Sequence, residues 1–234
     1  MAKTRIAIIG LGLIGGSMGL ALKRSKLDLE IVGHDKDLGV AGRALKRGAV
    51  DKTEWNLINA CNGASLIVLA LPLDAIVDTL DALRTHLQPG VLVTDTATSK
   101  VPVLEWAKDL PAGVEFIGGD PALSAPRARL EHGIDAADAM LFEGATYCLV
   151  PSLTASPQAI DTMNGLIALL GALVMPKADV LLYLAVSLVC GLVAVHSVHC
   201  VRKRVQLLRA GVYSGVAALL LCVLFERIDL MLAG

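Results

Sequence analysis

Three glycines, Gly10, Gly12 and Gly15, stand in the spacing G-x-G-x-x-G between an apolar run, Ile6-Ala-Ile-Ile9, and a segment of helical character, Ser17–Arg24. Each has a chemical use. Gly10 allows a tight turn. Gly12 lets a pyrophosphate approach the backbone where a Cβ would clash, and Gly15 lets the following helix pack closely on the strand. Leu13 and Ile14 fill the positions between, so they border the same dinucleotide. The N-terminus of the helix offers N–H groups and partial positive charge to the phosphates. Asp35 follows Gly15 by about 20 residues, at the end of a second apolar run. A carboxylate there accepts hydrogen bonds from both ribose hydroxyls and repels a 2′-phosphate, which selects NAD over NADP. Lys36, the neighbouring cation, argues in the other direction.

The elements that must position these groups alternate along the chain. Strands are expected at Leu29–Asp35, Ala64–Leu71, Val91–Asp95, Val114–Gly118, Ala145–Val150 and Ala172–Met175. Helical spacing runs through Leu38–Arg47, Asp74–Leu87, Val101–Asp109 and Ser156–Leu170. Ala64–Leu71 is apolar throughout but for Ser65, as a strand covered on both faces should be. Strands alternating with helices of this length predict an α/β fold, a Rossmann-type, doubly wound and mostly parallel sheet over residues 1–176.

The totals exclude several classes. The 234 residues are 55% hydrophobic and 18% charged, with a net charge of −1. That balance gives no electrostatic reason for nucleic acid or an anionic membrane as partner. The five cysteines are widely spaced, with no Cys-x-x-Cys or Cys/His metal spacing, which fits free thiols in a reducing cytoplasm and no metal site. The first strand begins too early for a signal peptide to precede it. Composition changes near Pro176. Residues 178–234 contain no Pro, Thr, Asn or Trp, and Val180–Val201 has no Asp, Glu, Lys or Arg.

Several segments together resemble the prephenate/arogenate dehydrogenase family of tyrosine biosynthesis. They are Gly10–Ser17 with Gly19–Leu22, Val32-Gly-His-Asp35, Leu69-Ala-Leu-Pro72, Thr94–Lys100, Phe116–Gly119 with Pro121, and Leu141–Pro151. The resemblance covers about residues 4–176. It implies an NAD-dependent oxidative decarboxylation of prephenate to 4-hydroxyphenylpyruvate, or of arogenate. A hydride passes to the nicotinamide, a general base takes the hydroxyl proton, and loss of CO2 aromatises the ring. It further implies that Leu71 and Pro72 meet the cofactor.

The same resemblance locates the departures. The family's G-G-H-P histidine falls on Asp120, and an unperturbed aspartate, with a pKa of about 4, is a weak base for an alcohol. Thr98 replaces the serine of T-D-x-G-S-x-K and keeps a hydroxyl. Lys100 is retained, either to orient an anionic substrate or as a surface lysine at a helix start. Asp120, Thr98 and Lys100 are thus the catalytic candidates. His132 is the nearest spare imidazole, and Arg127 and Arg129 could pair with carboxylates.

Residues 177–234 are expected to form a short, apolar, all-helical tail, in place of the family's larger helical domain and without its S-H-x-P-type motif. Three readings of it stay open. It is a shortened dimerisation domain buried by a second copy, or Val180–Val201 spans a membrane, or a shifted reading frame has replaced the family's domain. The basic stretch Arg202–Arg209 argues against the span, since it would put the nucleotide domain on the far side. The first reading predicts a cytoplasmic homodimer. For the whole chain, the alternatives to an active prephenate-type dehydrogenase are a catalytically impaired NAD-binding homologue and a related β-hydroxyacid or imine reductase.

Overall fold

A computed structural model describes residues 3–123, 133–152 and 154–175. In chain order its elements are β1 (Thr4–Ile9), α1 (Leu13–Arg24), β2 (Leu29–His34), α2 (Leu38–Lys46), β3 (Lys52–Thr53), α3 (Leu57–Cys61) and β4 (Leu66–Leu69). Then come α4 (Leu73–Leu83), β5 (Leu92–Asp95), α5 (Lys100–Ala107), β6 (Glu115–Ala122), β7 (Thr146–Pro151), α6 (Pro157–Leu169) and β8 (Leu173–Val174). The strands form one sheet in the order β3-β2-β1-β4-β5-β6-β7-β8. Every pairing is parallel except β6 with β7. The mostly parallel α/β sheet expected from the alternating elements is therefore present.

Both faces of the sheet are covered, which is why β4 is apolar at every position and β1 is apolar from Ile6 onward. On β1, Ile6 and Ile8 face a core that includes Met18 and Leu22 of α1, Ala44 of α2 and Met163 and Ile167 of α6. Ala7 and Ile9 face the other core, with Cys61 of α3, Ile76 and Leu80 of α4 and Val103 of α5. β4 divides in the same way, with Leu66 and Val68 on one side and Ile67 and Leu69 on the other. This is the period of two expected of a strand, with helices wound on both sides.

The structure adds or moves several elements. α1 begins at Leu13 rather than Ser17, so Gly15 lies inside the helix. β3 and α3 were not expected, being only two and five residues long, too short for any periodicity to register. β6 was expected to end at Gly118 but runs to Ala122, pairing antiparallel with β7 from Ile117 onward. Gly118, Gly119 and Pro121 hide this extension, since glycine and proline are depleted in strands. Among the described residues no helix is long and apolar enough to cross a membrane. The expected tail, 177–234, lies outside them, as do Arg127, Arg129 and His132.

Candidate functional site

Strand order reverses at β1, with β2 on one side and β4 on the other. Chains leaving β1 and β4 wind to different faces of the sheet, so a crevice opens between their C-terminal ends. The glycine turn lies there. The Gly10 N–H donates to the His34 carbonyl at 2.8 Å, and the Ala70 N–H donates to the Ile9 carbonyl at 2.8 Å, tying the turn to both neighbours.

The three glycines divide by what surrounds them. Gly10 has φ +89°, and a Cβ on it would lie 2.3 Å from the Ala70 carbonyl oxygen and 2.9 Å from Leu71 Cδ2. A Cβ on Gly15 would lie 1.9 Å from the Gly10 carbonyl oxygen. Both positions are closed by protein. A Cβ on Gly12 would meet nothing within 4 Å, so this glycine faces open space, as the approach of a pyrophosphate requires. Gly12 also caps α1, which has no side-chain cap and no acidic residue in its first turn. The positive end of that helix therefore has no carboxylate of its own to neutralise it. These are the features a dinucleotide needs of the chain.

Asp35 sits just past β2 and is half-buried. Its Oδ2 accepts the Leu11 N–H at 2.8 Å and its Oδ1 accepts the Asp37 N–H at 2.9 Å. The first bond couples the carboxylate directly to the glycine turn. Each carboxylate oxygen has a second lone pair, so both can still accept a ribose hydroxyl. Leu71 and Pro72 follow β4 across the crevice, with Pro72 capping α4. Leu13 and Ile14 form the partly buried first turn of α1.

A second centre is built where β5 and β6 end, on the same edge of the sheet. Lys100 starts α5, yet its side chain is buried, with the residue 1% exposed. Its Nζ donates to Asp95 Oδ2 at 2.5 Å and to the Gly119 carbonyl at 2.6 Å. Asp95 also accepts the Ala97 N–H at 2.9 Å and the Gly119 N–H at 3.2 Å. Thus one ion pair clamps the end of β5, the start of α5 and the middle of β6. Burial pushes the Asp95 carboxyl up and the Lys100 ammonium down, while their mutual attraction opposes both shifts.

Asp120 is buried beside this pair, opposite Cys148 in the β6–β7 register. It attracts the Lys100 ammonium and, with Asp95, holds the Tyr147 phenol above its ordinary range, burial being the larger cause. A Cβ on Gly119 would lie 2.7 Å from the Asp95 carbonyl oxygen and 2.9 Å from the Tyr147 hydroxyl. Only glycine lets these groups converge. Tyr147 Oη and Thr94 Oγ1 are buried without a hydrogen-bond partner among the described residues. Thr98 is exposed in the loop between β5 and α5.

The structure therefore gathers Asp120 and Lys100 into one buried cluster and leaves Thr98 on the loop above. Its burial removes the reading of Lys100 as a surface lysine at a helix start. Asp95 and Tyr147 were not singled out from the sequence. The available signal was the Gly118-Gly119 pair inside a strand, a mark of close approach by another group.

Residues 18–176 match the model of a family described as the prephenate dehydrogenase nucleotide-binding domain. Prephenate dehydrogenase of Lactococcus lactis is 38% identical over 148 residues, 62% of this chain and 40% of that protein. The Bacillus subtilis prephenate dehydrogenase is 32% identical over 167 residues, 70% of this chain and 44% of that protein. The crystal structure of Synechocystis arogenate dehydrogenase superposes with a TM-score of 0.66 at 32% identity, over 73% of this chain and 58% of that one. The chain spans about half the length of the curated relatives it matches. Through its glycine turn, its doubly wound sheet and this match, the chain belongs to the prephenate dehydrogenase family, whose nucleotide-binding domain it carries.

Proposed function

We propose that this chain binds NAD and acts in the oxidative decarboxylation of a prephenate- or arogenate-type substrate, with prephenate preferred. The observation that carries the reading is the pairing of an open Gly12 with a carboxylate, Asp35, bonded to the same turn. NAD rather than NADP is favoured because Asp35 accepts ribose hydroxyls and repels a 2′-phosphate. Prephenate is favoured by the two curated relatives of that name. NAD held at Gly12 and the first turn of α1 would supply the hydride acceptor for the ring carbon that bears the hydroxyl.

The chain's own residues take four roles. Gly12 and the first turn of α1, including Leu13 and Ile14, receive the pyrophosphate, while Leu71 and Pro72 border the cofactor from β4. Asp120 accepts the hydroxyl proton on its carboxylate. Thr98 donates or accepts a hydrogen bond at the substrate from its exposed loop. Lys100 acts from beneath, holding Gly119 and so the Asp120 backbone in place. A homodimer formed through residues 177–234 belongs to the same proposal, since an uncharged run such as Val180–Val201 needs apolar cover. So do the residue ranges 1–176 and 177–234 as separate units, and a cytoplasmic location.

The test is NADH formation by the full chain with prephenate and with arogenate, alongside NAD binding by calorimetry. Turnover of prephenate that falls at least about a hundredfold in Asp120→Ala supports Asp120 as the base. NAD binding without turnover of either substrate, with activity gained in Asp120→His, would make the chain an impaired homologue instead.

A further inference from the structure

The chain has two tryptophans, and one of them, Trp55, is 74% exposed. A lone exposed apolar side chain needs no explanation, so what matters is where this one sits. β3 runs parallel to β2, with Val32 opposite Lys52 and Gly33 opposite Thr53. The pairing continues past the strand ends: the Glu54 N–H donates to the Gly33 carbonyl at 2.9 Å, and His34 Nδ1 lies 2.9 Å from the Glu54 carbonyl oxygen. Trp55 follows Glu54 as Asp35 follows His34. The two residues therefore leave adjacent strands at the same level, roughly one strand spacing, ~5 Å, apart. Leu38, the first residue of α2 and three residues beyond Asp35, is 67% exposed. Two of the most exposed large apolar side chains among the described residues thus lie on the segments next to Asp35, one in register with it after β3 and one at the start of α2.

The glycine turn fixes which end of a dinucleotide reaches this place. With the pyrophosphate at Gly12 and the ribose on Asp35, the base on that ribose lies farther along, toward the β2–β3 edge. The polarity of the sheet puts the other half over β4, β5 and β6, beside Asp120. A base has an apolar π-face with no charge for Asp35 or Lys36 to bind, and a solvent-facing indole is the chemistry that matches it.

We infer that Trp55 forms the adenine platform of the dinucleotide site, stacking its indole on the base beside Asp35. The inference rests on the proposed dinucleotide site, and its test separates the two. The full chain carrying Trp106→Phe leaves Trp55 as its one fluorophore of this type, since Trp106 is the other tryptophan. Titration with AMP, NMN and NAD then reads Trp55 directly. AMP and NAD should quench its emission and NMN should not. In the parent chain, Trp55→Ala should weaken AMP and NAD by about tenfold, within a range of roughly 5- to 100-fold, and leave NMN unchanged. Trp55→Phe, which keeps an aromatic face, should stay within about threefold of the parent. NAD bound equally well by Trp55→Ala, or no response of Trp55 to AMP, overturns the platform while leaving the dinucleotide site standing. Failure of the parent chain to bind NAD overturns both.

Discussion

Lys100→Met removes the cation from the buried clamp while keeping a side chain of similar length. Asp95 would then retain only the Ala97 and Gly119 N–H groups, and the Gly119 carbonyl would lose its Lys100 donor. Breaking a buried ion pair from one side costs roughly 3–5 kcal/mol, mostly through the charge left behind. For a unit of this size each kcal/mol moves the melting temperature by about 2–4 °C, so a drop of about 6–20 °C is expected in calorimetry. The deficit has a sign in pH. Burial already pushes the Asp95 carboxyl up, and removing Lys100 withdraws the attraction that opposes this shift. In the variant the folded-state pKa lies above the unfolded value of about 3.9, so the folded state binds the extra proton. The Asp95 contribution to stability is then fullest below that value and is lost as pH rises through the folded pKa. Lys100→Met should accordingly lose less stability, relative to the parent, at about pH 5 than at about pH 7. Adding Asp95→Asn should recover more than about 1 kcal/mol of the loss, since the two sites are coupled. A pH-independent loss under about 1 kcal/mol, with a raised KM for an anionic substrate, would refute this account and return Lys100 to direct substrate contact.

Two further substitutions separate folding from ligand binding at the turn. Gly15→Ala should destabilise the chain by more than about 3 kcal/mol, because its Cβ would meet the Gly10 carbonyl oxygen at 1.9 Å. Gly12→Ala, whose Cβ meets nothing, should melt within about 0.5 kcal/mol of the parent yet bind NAD at least about tenfold more weakly; equal loss of stability in the two variants would contradict the division drawn between them. Asp35→Asn keeps an acceptor for the Leu11 N–H but removes the charge, so NAD should weaken by about tenfold while NADP improves. An unchanged preference between the two nucleotides, measured by calorimetry, would remove Asp35 from the discriminating role.

The local features of the fold were legible because they depend on near neighbours in sequence. Strand β1, the glycine turn and α1 occupy consecutive residues, and Gly15 answers to the Gly10 carbonyl within that unit, whereas Gly10 answers to Ala70 and Leu71 beyond β4. The apolar runs of β1 and β4 announced a sheet covered on both faces. The run through β6 was less legible, because glycine and proline there read as a strand end. Those same glycines exist to admit Lys100 and Tyr147, which only the assembled sheet brings near.

What the sequence determined by itself is the glycine turn between strand and helix, the carboxylate that ends the next strand, and the family to which the surrounding segments are similar. What the tertiary structure decided is the environment of each group. Asp95 and Gly119 are 24 residues apart in sequence and are joined only because β6 lies beside β5. Lys100 looks the same in sequence whether it faces water or the interior. Desolvation makes the difference, and desolvation depends on what is stacked above it, a property of the packed sheet that no short stretch of residues contains.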